Sequence, residues 1–285
     1  MRLTDYEDYR DFVTNPPKVA ISTSNGVYKG PVSEKSANLY LKNIFSGLDW
    51  LVRTGYLKIP KGMAEPPHRL ITLKKIRDTS ATIERIYKEE VADTLMASSL
   101  QFLEGKGSEV QAALFYFLLW GTSGRSREIQ HLKWSDLTDY AQGLVCHFRI
   151  TKTGRPRLVA VLPECGDLIR RAKTRLAELG FPVSDSDYVL CKRAGGLYDG
   201  KTLRRKLDKL KAFAKEDANE QDLDPTIFDL ITNHWVRHSS ATYQLNVRKI
   251  PIPIVSKRLG HLSMSTTSRY THSDLDDQFK ALLTD

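Results

Sequence analysis

Two arginines, two histidines, a lysine and a late tyrosine in this 285-residue chain are the residue types needed to break a phosphodiester with a side-chain nucleophile. They lie in Gly124-Arg125-Ser126-Arg127-Glu128-Ile129, Thr151-Lys152-Thr153-Gly154, Asn233-His234-Trp235-Val236-Arg237-His238, Leu259-Gly260-His261 and Arg269-Tyr270. The transition state of such a reaction is an anionic, five-coordinate phosphorus, and its charge must be met by fixed cations and N–H donors. Arginine suits that task because its planar fork grips two phosphate oxygens and stays charged. Arg125 and Arg237 are the candidate clamps. His234 stands three residues before Arg237, so on a helix the two share a face. Tyr270 is the candidate nucleophile. A phenol with a pKa of about 10 is weak at neutral pH and needs a base or a cationic field, which His234 or His261 would supply. The departing 5′ oxygen needs a proton, and Lys152, on a turn able to reach a minor groove, is the candidate acid. Taken singly, each residue has a plain explanation in packing or solvation; the ordered set carries the reading.

His234 and His238 also have the i, i+4 spacing of a zinc site. Trp235 stands where a His-Glu-x-x-His motif would carry its glutamate, and no third ligand is apparent. Neither a metal nor an organic cofactor is expected.

The elements that must position these residues are mostly helical. Ser33 reads as an N-cap, and Leu41, Ile44, Phe45, Leu48, Leu51 and Val52 follow at spacings of three and four, with Gly55 as the stop. Glu90–Leu103 reads as a helix, and the next, capped by Ser108, buries Val110, Leu114, Phe117, Leu118 and Trp120. Gly121-Thr122-Ser123-Gly124 ends it and presents Arg125, and Ser126–Leu132 is helical again. Leu144–Arg149 and Arg157–Leu162 form a hairpin around Lys152. Further helices are expected at Pro163–Leu179, Thr202–Lys215, Phe228–Leu245, Ile254–Leu259, Ser263–Tyr270 and Asp274–Leu283, with one helical turn near Tyr6–Phe12 and a short strand at Tyr188–Leu190. The fold class is therefore mainly α with a small β-sheet. Turn signals at Asn15-Pro16-Pro17 and Asn25-Gly26, and prolines 60, 66 and 67, divide the chain into a short arm at 1–30, a helical domain at 31–80 and a larger domain at 88–285.

A formal net charge of +9 favours a polyanionic partner, nucleic acid first. Within Thr202–Lys215, the residues Arg204, Arg205, Lys206, Lys209 and Lys211 are either a solvated face or a phosphate contact. The absence of a long apolar run argues against a membrane span, and the polar, acidic N-terminus against a signal peptide. A cytoplasmic, nucleoid-associated location follows. Cys146, Cys165 and Cys191 have no metal-ligand spacing and read as packing residues of a reduced protein.

The ordered set resembles the tyrosine recombinase family, also called phage integrases. Arg125-Ser126-Arg127-Glu128-Ile129-Gln130-His131-Leu132-Lys133-Trp134-Ser135-Asp136 is similar to the family's first arginine block. Thr151-Lys152-Thr153, with Arg155, Arg157 and the tail Val161-Leu162-Pro163, is similar to its hairpin lysine segment. His234-Trp235-Val236-Arg237-His238-Ser239 resembles its His-x-Leu-Arg-His block, and Leu259-Gly260-His261 precedes Tyr270 by the family's nine positions. The resemblance covers about residues 88–273. It implies that Arg125, Lys152, His234, Arg237 and His261 assemble around a scissile phosphate and that Tyr270 attacks it to give a 3′-phosphotyrosine, without metal or ATP. It also implies a helical N-terminal domain that closes a clamp on double-stranded DNA at specific recombination sites, and a homo-tetramer, with accessory DNA-bending factors as a further class of partner. The departures are Ser123 where the family usually has glycine, with Gly124 one place later, and Val236 for leucine. The alternatives are a DNA-binding protein of the same fold without chemistry, and a relaxing type IB topoisomerase-like enzyme.

Overall fold

A computed structural model describes residues 22–23, 26–27, 34–59, 61–70, 87–152, 154–220 and 223–260. The chain divides into two compact units, Met1–Ile83 and Glu84–Asp285.

In the first unit, β1 (Ser22–Thr23) and β2 (Gly26–Val27) pair antiparallel, and α1 (Glu34–Arg53) is the main element. Of its apolar stripe Leu41 is buried, and Ile44, Phe45, Leu48, Leu51 and Val52 are half-buried. The helix unwinds at Gly55, whose φ of +79° an L side chain rarely adopts. A 3₁₀ turn at Pro67–Leu70 folds back onto α1: buried His68 bonds Asp49 at 2.7 Å and its ring lies 5.7 Å from that of Phe45. The expected Ser33 cap and the turn near Tyr6–Phe12 fall outside the described residues.

The second unit opens with α2 (Glu89–Leu103), α3 (Gly107–Thr122) and α4 (Ser126–Gln130). A three-stranded antiparallel sheet follows, in the order β3 (Leu137–Tyr140), β4 (Gly143–Phe148), β5 (Arg157–Ala160). Then come α5 (Pro163–Glu178), α6 (Gly200–Glu220), α7 (Ile227–Leu230), α8 (Asn233–Asn246) and α9 (Ile252–Leu259). The unit is mainly helical with one small sheet.

The axis of this unit is α3. Every residue from Val110 to Thr122 is buried, well beyond the stripe expected from sequence. A helix apolar on all sides has to be surrounded, and α2, α5, α6 and α8 all pack on it. Its N-cap is Lys106 rather than Ser108. The Lys106 backbone N–H donates to the Glu109 carboxylate at 2.7 Å, which satisfies an orphan donor and places negative charge at the helix start. The cysteines are buried free thiols.

Elsewhere the chain departs from its pattern. Tyr188–Leu190 is no strand; it meets the segment after α4 through an isolated Lys133–Tyr188 bridge and a Val189 N–H bond to the Leu132 carbonyl at 2.9 Å. The expected helix at Phe228–Leu245 breaks into α7 and α8, because Ile231 is extended and the Thr232 hydroxyl caps α8 by accepting from Trp235 N–H at 3.3 Å. Strand β3 was not foreseen: Leu-Thr-Asp-Tyr has too little alternation to signal one. On α6, three of the five basic residues reach partners from elsewhere in the chain; Lys206 and Lys211 are buried and Lys209 is exposed. Lys206 sits over the Tyr198 ring at 4.6 Å, Lys209 pairs with Glu109 at 2.7 Å and Lys211 donates to the Ile231 carbonyl at 2.8 Å; Arg204 and Arg205 remain exposed. Residues 261–285, including the segments expected to be helical there, lie outside the described residues. Among the described residues no helix is long and apolar enough to cross a membrane.

Near its C-terminal end, α3 packs tightly at Gly121. A Cβ there would sit 2.7 Å from Cys165 Cβ and 2.9 Å from Val161 Cγ1. Overpacking of this kind costs about 1–3 kcal/mol. Gly121→Ala should therefore lower the melting temperature by roughly 2–10 °C in scanning calorimetry; an unchanged value would mean that α5 shifts away freely.

Candidate active site

The turn that presents Arg125 is built from two small residues with different jobs. Ser123, at the end of α3, is left-handed with φ 51° and ψ 30°. That conformation disfavours a side chain by about 1–2 kcal/mol. Here the side chain is held: the buried Ser123 hydroxyl bonds the Ser240 hydroxyl at 2.7 Å and accepts from Gln244 Nε2 at 2.7 Å. Gly124 is needed for space instead, since a Cβ would lie 2.6 Å from Phe148 Cζ and 2.9 Å from Thr122 Oγ1. The exchange of glycine and serine noted in the sequence thus leaves a working turn.

Arg125 is the N-cap of α4. Its backbone N–H donates to Glu128 Oε2 at 2.9 Å, and its Nη1 donates to Glu128 Oε1 at 3.0 Å. Glu128 is buried and takes a second arginine from the sheet. Arg157 Nη1 and Nη2 donate to its two carboxylate oxygens at 3.0 and 2.7 Å. The same guanidinium lies 4.6 Å above the Phe148 ring and donates from Nε to the Arg258 carbonyl at 2.9 Å. One carboxylate therefore joins α4, β5 and the end of α9. Burial pushes the Glu128 carboxyl up, but the Arg157 fork, the Arg125 N–H and both guanidinium charges outweigh it and hold the group below its ordinary value.

Arg237 lies on α8 and is 2% exposed. Its Nη1 donates to the Ser123 carbonyl, and its Nη2 to the Leu259 carbonyl at 2.8 Å. The Asn233 amide donates to Ser126 Oγ at 3.1 Å, so the start of α8 meets the start of α4. His234 follows Asn233 and is exposed, and its Nε2 is 2.7 Å from that of His238. One of these nitrogens donates and the other accepts.

The structure thus brings the Arg125 turn, His234 and Arg237 into one region. Lys152 is exposed on the β4–β5 turn, which Thr151 Oγ1 closes with a 2.9 Å bond to the Arg155 carbonyl, and it makes no hydrogen bond to the others. Its hairpin is tied to the region through Arg157. His261 and Tyr270 lie outside the described residues; His261 is the residue after Gly260, the left-handed end of α9 with φ 64°.

Glu128 and Arg157 lie within the sequence motifs but carry no assigned task there, and Gln244 and Arg258 belong to none of them. The signal for the first pair was present. Glu128 stands three residues after Arg125, the capping-box distance, and Arg157 opens a strand directly opposite Phe148. For Arg258 no signal existed, because its partners are 14 residues or more away in the chain, and Gln244, which also donates to Ser240 four places earlier, meets Ser123 and Arg258 only at long range.

Residues 84–276, more than half of the chain, match the model of the phage integrase family. The fold is that of solved members. The XerH site-specific recombinase bound to a palindromic difH substrate superimposes with a TM-score of 0.70 at 17% identity, over 99% of this chain and 69% of that one. The Tn1549 transposon integrase in complex with transposon right-end DNA gives 0.68 at 14% identity, over 99% and 84%. The chain belongs to the phage integrase family, the tyrosine recombinases. It is 30% identical over 173 residues to a probable integrase/recombinase protein of Methanocaldococcus jannaschii, covering 59% of this chain and 48% of that one. It is 28% identical over 189 residues to the tyrosine recombinase XerC of Staphylococcus carnosus, covering 65% and 56%. The matches therefore span about half the length of these curated relatives.

Removing the Glu128 charge leaves two arginines facing a neutral amide. Because its carboxyl is held below its ordinary value of 4.5, Glu128 contributes stability that is complete above that value and is lost as pH falls through the lower, folded one. Glu128→Gln should cost about 3–5 kcal/mol at pH 7 in urea titrations. The gap to wild type should narrow below about pH 4.5; a gap that does not change with pH would contradict the buried ion pair.

Proposed function

We propose that this chain is a site-specific DNA recombinase that cuts and rejoins double-stranded DNA through a 3′-phosphotyrosine. Family membership supports the class. The observation that carries the reading is the bond from Arg237 to the Ser123 carbonyl. It fixes one arginine to the residue two places before the other, as a clamp on a single phosphate requires.

In this reading Arg125 and Arg237 grip the scissile phosphate and meet the charge that grows on its oxygens. Tyr270 attacks phosphorus, and its phenolic proton passes to His234 or His261. The phosphorus–5′ oxygen bond breaks, and Lys152 protonates the departing oxygen. The phosphotyrosine retains the bond energy, so attack by a 5′ hydroxyl of a second duplex reverses the step with no nucleotide consumed. The required cations are side chains, and the chemistry calls for no metal.

Residues 31–80 form the helical DNA clamp, residues 1–30 an arm, and residues 88–285 the catalytic domain. The exposed Arg204 and Arg205 of α6 suit a phosphate backbone. The active form is a homo-tetramer on two recombination sites, with DNA-bending accessory factors as additional partners, working at the nucleoid.

The test is a nicked suicide duplex carrying candidate sites, incubated in EDTA with wild type and Tyr270→Phe and then denatured. A covalent protein–DNA adduct is expected from wild type alone. An adduct from Tyr270→Phe would remove Tyr270 as nucleophile. Specific binding with no adduct from either protein would point to a catalytically silent DNA-binding protein. An adduct with relaxation of supercoiled DNA but no joining of two sites would point to a topoisomerase-like enzyme.

A further inference from the structure

We infer that Arg258 is a positioning residue for both candidate arginine clamps, acting through Gln244 and the turn at Ser123. The inference rests on the functional reading above and extends it to residues outside the six-residue set.

Arg258 is half-buried at the end of α9, and its guanidinium reaches three elements. Nε donates to Gln244 Oε1 on α8 at 2.6 Å, Nη1 to the Ala160 carbonyl on β5 at 2.6 Å, and Nη2 to the Gly121 carbonyl on α3 at 3.2 Å. All three acceptors are neutral. Burial disfavours its charge, and Glu164 offsets that only in part.

The direction of the hydrogen bonds is what matters. An arginine side chain only donates. Arg258 therefore draws the Gln244 oxygen toward itself, and the Gln244 Nε2 faces Ser123, where it also donates to the Ser240 carbonyl at 3.2 Å and hydroxyl at 3.1 Å. Ser240 donates to the Trp120 carbonyl at 2.6 Å, so its oxygen accepts from Ser123 at 2.7 Å. The Ser123 oxygen in turn accepts from Gln244 at 2.7 Å. The chain from Arg258 through Gln244, Ser123 and Ser240 to Trp120 runs one way, with each link setting the next. It holds Ser123 in its left-handed conformation, and the Ser123 carbonyl holds Arg237. The backbone of Arg258 works on the other arginine: its carbonyl accepts from Arg157, which grips Glu128, which grips Arg125. Without a donor at position 258, the Gln244 oxygen loses its partner, the amide is held only by its Nε2 bonds to Ser123 and to the Ser240 carbonyl and hydroxyl, and the turn loses part of its support.

The experiment uses full-length wild type, Arg258→Lys, Arg258→Met and Gln244→Leu. It combines amide hydrogen exchange without DNA, DNA affinity, and single-turnover cleavage of the suicide duplex at saturating protein. Arg258→Met and Gln244→Leu should exchange at least ten-fold faster at residues 121–126 and 252–260, with α2 and α5 unchanged. They should cleave at least ten-fold more slowly at unaltered half-saturation, and Arg258→Lys should recover part of that rate. Unchanged exchange in the two segments would overturn the inference whether or not wild type cleaves. So would a uniform rise in exchange across the unit with the cleavage rate of the folded fraction intact, since that is the mark of a merely structural residue. Faster exchange confined to the two segments, together with a wild type that forms no adduct, would keep the positioning role and instead remove the functional reading.

Discussion

One buried carboxylate sets the geometry of this site. Glu128 receives a two-pronged arginine from the sheet and a third N–H bond from the guanidinium of Arg125, while also accepting the Arg125 backbone N–H. A buried carboxylate with one partner missing is costly, whereas one with its acceptor positions filled is stiff. Arg125 is therefore not a surface arginine that happens to face a groove. Its backbone and side chain are both anchored, and the anchor extends through Arg157 to β5 and to the end of α9.

Around that anchor the structure solves a recurring problem at helix ends. The last carbonyls of a helix have no partner within it. At the end of α3 the carbonyls of Trp120, Gly121 and Ser123 accept from Ser240, Arg258 and Arg237. At the end of α9 those of Arg258 and Leu259 accept from Arg157 and Arg237. Cationic donors at two helix C-termini are favoured by the dipoles as well as by the bonds. The result is a set of arginines concentrated where α3, α8, α9 and β5 meet. It also explains why Ser123 is tolerated at a left-handed position: its carbonyl and hydroxyl are both tied into this junction.

Much of this was legible in the sequence because it is local. The apolar stripe of α1, the apolar run of α3, the Lys152 hairpin and the split of the chain into a mainly helical fold with a small sheet all rest on spacings of two to four residues. The blocks around Arg125 and Arg237 were legible as residue types in order. Long-range features were not legible. The break at Ile231 and Thr232 looks like continuous helix in the sequence, and strand β3 exists because β4 pairs with it rather than through its own pattern. The basic run on α6 reads as a charged face, yet Lys206, Lys209 and Lys211 have partners from other parts of the chain. Arg258 and Gln244 carry no motif; their meaning comes from directed bonds across 14 to 137 positions.

Whether Glu128 and Arg157 act as one unit to position Arg125 is read out by a double-mutant cycle. Wild type, Glu128→Gln, Arg157→Met and the double variant would be compared by single-turnover cleavage rate at saturating protein. Each single variant should lose most of the rate and the second substitution should add little, a coupling of at least about 1.4 kcal/mol, or ten-fold. Independent, multiplying effects would contradict it and would reduce Arg157 to a packing residue beside the site.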